Sequence, residues 1–167
     1  MKKILLGLVI TVMMAGSGSL YSGTLIYQDD KDEFTDEREL SIYLIDDEMN
    51  MPLVIGCSNK LMFIINPKLY FGSKKIGNLK IRFDDKPMYE KELDINNPNS
   101  TAYSLKIPFI LEFLENLRVS KKLIMKFESE STANYTEYLD AEGSVNKFLE
   151  NSLEMGCHNI EDIDPYE

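Results

Sequence analysis

The chain has 167 residues, 28 acidic against 18 basic side chains, a net charge of −10, one histidine, two cysteines and no tryptophan. Such a surface repels nucleic acid and anionic lipid, and it suits a basic partner or plain solubility. The length allows one hydrophobic core and is too short to expect two.

Met1-Lys2-Lys3 is followed by an apolar run from Ile4 to Ala15 and by small residues from Gly16 to Ser19. A basic start, a short apolar run and a small-residue exit form a signal-peptide pattern, and the run falls short of the roughly 20 residues that span a bilayer. Residues 1–19 are therefore expected to be removed, with an uncleaved anchor as the alternative. That leaves a domain over 20–159 and an acidic tail over 160–167, periplasmic or secreted, with no membrane insertion after cleavage. Losing Lys2 and Lys3 moves the net charge from −10 to −12.

Leu20 to Thr35 is polar and acidic, with Leu25-Ile26-Tyr27 as its apolar cluster. The run Asp29 to Glu33 invites a calcium reading, but an EF-hand loop starting at Asp30 needs Asp or Asn at its fifth position and Gly at its sixth, where Phe34 and Thr35 stand. Leu40, Ile42 and Leu44 alternate with more polar neighbours and predict a strand. The central block runs from Pro52 to Asp85. Within it, Leu53 to Cys57 and Leu61 to Ile65 are continuously apolar, which predicts strands covered on both faces. In Leu79 to Asp85, Leu79, Ile81 and Phe83 alternate with Lys80, Arg82 and Asp84. These three strands are expected to be neighbours at the centre of a sheet.

Met88 to Ile95 predicts a further strand with Leu93 and Ile95 inward, and Asn96 to Ser100 a loop. Tyr103 to Ile107 alternates again. Pro108 suits the first turn of a helix on which Phe109, Phe113 and Leu117 form one row, with Ile110 and Leu114 beside it. Lys121 to Phe127 predicts a strand and Tyr135 to Leu139 a weaker one. Ser144 is a suitable N-cap for a second helix marked by Val145, Phe148, Leu149 and Leu153, and Gly156 is its stop. The expected fold is α+β, a mainly antiparallel sheet or sandwich with two packed helices.

Little here announces chemistry. His158 reads as a solvated or satisfied histidine, and zinc would have to use Cys57, Cys157 and His158 with no fourth His or Cys. There is no Gly-rich phosphate loop, and carboxylates are so plentiful that no acid and base pair stands out. No catalytic residue, cofactor or metal is expected. The polar constellation that does stand out is Arg82 with Asp84 and Asp85, which reads as a cross-strand ion pair or as a partner-binding patch. Export would supply an oxidising compartment, and two cysteines have one pairing, so a disulfide between Cys57 and Cys157 is expected.

Taken in order, Phe34-Thr35-Asp36-Glu37, Leu53-Val54-Ile55-Gly56-Cys57, Tyr70-Phe71-Gly72, Ile81-Arg82-Phe83-Asp84-Asp85, the helix from Phe109 to Leu117 leading to Lys122-Leu123-Ile124, and a terminal helix ending in Cys157 resemble the VasI family, also called TagO. These are exported proteins associated with bacterial type VI secretion, and the resemblance covers about Asp32 to Cys157. Family members are pictured with a tryptophan near the mature start and a basic residue before the first cysteine, where this chain has no Trp and has Gly56. The resemblance implies a non-enzymatic periplasmic accessory protein acting through protein contacts, with secretion-apparatus components or a basic enzyme as the partners it suggests. The alternative is a secreted inhibitor or immunity-like protein that masks a basic enzyme, with an uncharacterised hydrolase third.

Overall fold

The computed structural model describes residues 23–45, 51–67, 69, 71–96, 101–128, 131–136 and 141–158. The expected leader, its cleavage point and the acidic tail lie outside the described residues. Among those residues nine strands form one antiparallel, curled sheet. In chain order they are β1 (Thr24–Lys31), β2 (Arg38–Ile45), β3 (Leu53–Cys57), β4 (Leu61–Ile65), β5 (Ile76–Phe83), β6 (Tyr89–Asn96), β7 (Thr101–Ser104), β8 (Lys122–Phe127) and β9 (Ser131–Thr136). In space the order is β1-β2-β3-β4-β7-β6-β5-β8-β9. Helix α1 (Ile107–Val119) follows β7 and helix α2 (Ala141–Glu154) follows β9.

Alternation decides which side chains meet the helices. Leu40, Ile42 and Leu44 of β2, Leu53 and Ile55 of β3, Leu61, Phe63 and Ile65 of β4, and Leu79 and Ile81 of β5 are all fully buried on one side. Helix α1 lays its expected row on them. Phe113 meets Phe63 and Phe83 edge-to-face at 5.1 and 5.2 Å, and Phe109 meets Phe63 at 5.0 Å. Pro108 sits in the first turn of α1, where its missing N–H leaves no bond unmade.

The strand order differs from the expected one. β3 and β4 are neighbours, but β7 and β6 stand between β4 and β5, because Phe63 pairs with Ser104 and Ala102 pairs with Ile95. A run of apolar residues identifies a strand without naming its partner. β1 was not expected as a strand at all. It carries one apolar residue into the core, Leu25, and its inward Tyr27 and Asp29 are held by polar bonds instead, from Asn151 and Arg38. The run expected to alternate through Ile107 stops at Ser104, and Ile107 opens α1. The last strand begins at Ser131, earlier than expected.

Helix α2 also starts early. It begins at Ala141, so Ser144 lies inside it and caps nothing. Glu142 in its first turn complements the positive end of the helix dipole, and burial of Ala141, Val145, Phe148 and Ser152 outweighs the weak propensity of Gly143. That inward stripe leaves Leu153, one residue round from Ser152, 63% exposed, against the expectation that it faces the core. At the far end Gly156 has φ 76°, its N–H donates to Leu153 O, and the Cys157 N–H donates to Ser152 O. This is the left-handed stop expected at Gly156. It delivers Cys157 to Cys57 at the end of β3, and the two form a disulfide across 100 residues with Cα atoms 6.1 Å apart.

The disulfide closes a loop for which the chain-entropy model gives about 4.7 kcal/mol of stabilisation. Cys157→Ser is expected to lower the melting temperature sharply and to expose one thiol at Cys57, whereas thiol titration of the unreduced wild type should find none. Two free thiols in the wild type contradict the pairing. A second expectation concerns Gly77, where an added Cβ would lie 2.2 Å from Cζ of Phe127. That ring also packs edge-to-face on Phe71 at 5.5 Å and has little room to retreat. Gly77→Ala should lower the urea midpoint by an amount equivalent to about 1–3 kcal/mol, and an unchanged midpoint would show that the ring yields freely.

Candidate functional site

Strands that send every second side chain to the helices send the rest to the opposite face. On β5, β6 and β8 that face is mostly charged, with Lys80, Arg82, Glu90, Glu92, Asp94, Lys122 and Lys126 outward beside Ile76 and Ile124. On β1, β2, β3, β4 and β7 it carries apolar side chains along one row, with Gln28, Asp30, Glu39 and Ser41 at the other outward positions of β1 and β2. The register places Ile26 opposite Tyr43, Tyr43 opposite Val54, Val54 opposite Ile64 and Ile64 opposite Tyr103. One continuous row therefore crosses five strands, about 19 Å at the usual strand spacing. Ile45 and Met62 flank it. Ile26 is 40% and Met62 37% exposed, and Tyr43, Val54, Ile64 and Tyr103 are half-buried by their neighbours. Among the described residues both helices lie on the other side of the sheet, so β3 and β4 are covered on one face and not on the two expected.

Beyond Tyr103 the row meets Asp94, its partner on β6. Glu92 stands opposite Asn78, and Glu90 opposite Lys80 with an ion pair at 3.0 Å. Arg82 lies on the same open face of β5, opposite Ile124 of β8, and is exposed. The expected trio is only partly brought together. Asp84 adopts φ 47° in the turn after β5, and its carboxylate accepts the N–H groups of Lys121 and Lys122 at 3.0 and 2.9 Å. It ties the turn to the start of β8. Asp85 is exposed beside it. Arg82 makes no cross-strand ion pair among the described residues.

At the far end of β1 and β2 an open groove of about 660 Å³ is lined by Asp30, Asp32, Glu37, Glu39 and Arg38, with Ser58 just past the disulfide. Asp32 accepts the N–H groups of Phe34 and Thr35 at 2.7 and 3.0 Å and so shapes the β1–β2 turn, the stretch weighed for calcium. Arg38 grips Asp29 with two bonds, Nε to Oδ1 at 2.7 Å and Nη2 to Oδ2 at 2.6 Å. The guanidinium holds the Asp29 carboxyl below the usual carboxylate range. Asn151 Nδ2 donates to the Tyr27 hydroxyl at 2.7 Å, and that hydroxyl donates to Asp29 Oδ2 at 3.3 Å, so helix α2 is tied to β1 through polar side chains.

His158 and Ser152 stand 2.8 Å apart, Nε2 to Oγ, an arrangement that in an open cleft would suggest a nucleophile and base. Here Ser152 is fully buried and its hydroxyl donates to Leu149 O at 3.2 Å. The pair fastens the end of α2 beside the disulfide. Both thiols are spent in that bond, which leaves His158 alone of the three zinc ligands considered.

The open-face row was missed from the sequence because continuous apolar runs read as doubly buried strands. The available signal was Tyr43, an amphipathic residue at an outward position of β2. No protein-family model, curated protein or solved structure matches the chain.

The His158 site has a pH signature. Burial pushes its imidazole below the ordinary value of 6.5. As the pH falls from 6.5 towards the depressed value, the unfolded chain binds protons that the folded chain does not, so stability present above 6.5 is lost through that window. The melting temperature should fall there in the wild type, and His158→Gln, which keeps a donor for Ser152, should remove that part of the fall. Identical profiles for the two proteins contradict the assignment.

Proposed function

We propose that the chain is a non-enzymatic, exported accessory protein that works by binding another protein, similar in role to the type VI secretion-associated VasI proteins. The observation that carries this reading is the apolar row Ile26, Tyr43, Val54, Ile64 and Tyr103 on a sheet face that no described element covers. Contiguous apolar surface of this kind on a folded domain marks an interaction site. Export to the periplasm or beyond is supported by the disulfide, because such bonds persist in oxidising compartments. Arg82 and Asp85 belong to the far rim of the proposed surface, while Asp84 serves its turn. A second reading, an inhibitor or immunity-like protein that masks a basic enzyme, is favoured by the net charge of −10 and by exposed acids beside the row.

Capture from periplasm with Met62→Glu and Ile64→Glu tests the reading. Both variants should melt close to the wild type, since neither side chain faces the core, and both should lose the partners that the wild type retains. Secretion-apparatus components among those partners favour the accessory role, and a basic enzyme favours the inhibitor. Arg82→Ala should weaken capture less than either. Undiminished capture by folded Ile64→Glu defeats the assignment of this face.

A further inference from the structure

The hairpin of β1 and β2 outruns the strand beside it. β3 pairs with β2 from Leu44 to Leu40 and no further, while Glu39 and Arg38 go on to pair with Asp30 and Lys31 of β1. Two residue pairs and the turn over 32–37 therefore run past the end of β3 as a two-stranded arm. Every residue from Gln28 to Glu39 is exposed apart from half-buried Arg38 and buried-side neighbours beyond it. At the tip stands Phe34, 98% exposed, where the other open large apolar side chains among the described residues lie between 37% and 63%.

The tip is braced, and the Phe34 ring takes no part in the bracing. The Asp32 carboxylate accepts the N–H groups of Phe34 and Thr35, the Asp32 N–H donates to Glu37 O at 2.8 Å, and Asp32 O accepts the Asp36 N–H at 2.9 Å. Asp36 takes a left-handed φ of 59° and pairs with Lys31 at 2.7 Å. A small polar residue at position 34 would close the same turn, since the turn uses its backbone alone. Single apolar side chains on a surface are ordinary, but a phenylalanine held almost wholly in water at the end of a braced arm gains nothing from the fold. The arm is also where charge is concentrated. Residues 29–39 hold seven acids and two bases, a net charge of −5, half of the −10 carried by all 167 residues.

Resting on the reading that the chain works by binding another protein, but not on the open face, we infer that the arm is a contact point of its own: Phe34 is an aromatic anchor for an apolar pocket on a partner protein, with lysine or arginine around the pocket's rim. Because the turn is already shaped in the free chain, seating the ring does not require the loop to be ordered first. The surrounding carboxylates select the rim. They repel an anionic lipid surface, and a second copy of this chain would bring a further net charge of −10, so both fit less well.

The test puts a photoreactive benzoylphenylalanine in place of Phe34 in the full chain, in the cells that make it, and in place of Ile64 for comparison. Irradiation should join position 34 to another protein, and the partner peptide at the junction should carry lysine or arginine beside apolar residues. With that partner purified, Phe34→Ala should weaken binding roughly tenfold or more while melting with the wild type, because the ring supports nothing in the fold. Wild-type affinity should fall between about 50 and 500 mM salt, and Asp30→Asn, Glu33→Gln and Glu37→Gln together should flatten that fall. Adducts from Ile64 with none from position 34 overturn the anchor and leave the open face standing. Adducts from position 34 with none from Ile64 uphold the anchor and defeat the open face, and none from either defeats both. Unchanged affinity in Phe34→Ala overturns the anchor, and affinity indifferent to salt overturns the basic rim. An adduct to a second copy overturns the inference, as does Phe34-dependent sedimentation with vesicles of phosphatidylethanolamine and phosphatidylglycerol.

Discussion

Every strand of a sheet has two faces, and this fold covers one of them. The inward set, from Leu40 on β2 through Phe63 on β4 to Phe83 on β5, is sealed by the apolar stripes of α1 and α2. Because side chains alternate, that burial fixes which residues must face away, and in one row across five adjacent strands those residues are Ile, Tyr and Val. Nothing in the packing of the core requires them to be apolar. Polar residues do occupy equivalent outward positions on β5 and β6, where Lys80 and Glu90 pair. The difference between the two halves of one face is what needs a function to explain it.

The same asymmetry makes the attachment of the helices important, since the helices provide the sheet's described cover. α1 is held by aromatic packing, with Phe113 between Phe63 and Phe83. α2 is more polar and is held differently. Its C-terminal end carries the disulfide to β3, the Ser152–His158 bond, and the chain of contacts from Asn151 through Tyr27 and Asp29 to Arg38. Net hydrogen-bond contributions are small, about 1 kcal/mol each, so the covalent link is the largest single restraint on this helix. The clamp sits behind β1 to β3 and supports from the core side the strands whose outer surface forms much of the apolar row.

Much of the architecture was legible in the sequence. Leu79, Ile81 and Phe83 alternate with charges, Phe109, Phe113 and Leu117 recur at helical spacing, and two cysteines admit one pairing, so an antiparallel α+β fold with a Cys57–Cys157 bond could be read directly. Strand order could not, because β7 enters between β4 and β6 through backbone pairing that its four residues do not advertise. β1 was hidden because its inward side chains after Leu25 are Tyr27 and Asp29, satisfied by partners far away in sequence. Asp84 looked like part of a surface patch, yet its role depends on a left-handed turn that places its carboxylate under the amides of Lys121 and Lys122. The open face was the most instructive loss. Val54, Met62 and Ile64 obey no alternation, and an unbroken apolar run has the same appearance whether its second face is covered by the chain itself or left for something else.

Site-specific photo-crosslinking in the cells that make the protein addresses the central claim most directly. A photoreactive residue is placed at Ile64 or Tyr103 on the open face, and at Glu142 on the exposed side of α2 as a comparison. Adducts to another protein should form from the two open-face positions and not from Glu142. Adducts from Glu142 with none from Ile64 or Tyr103 would place the contact on the helical side and contradict the account.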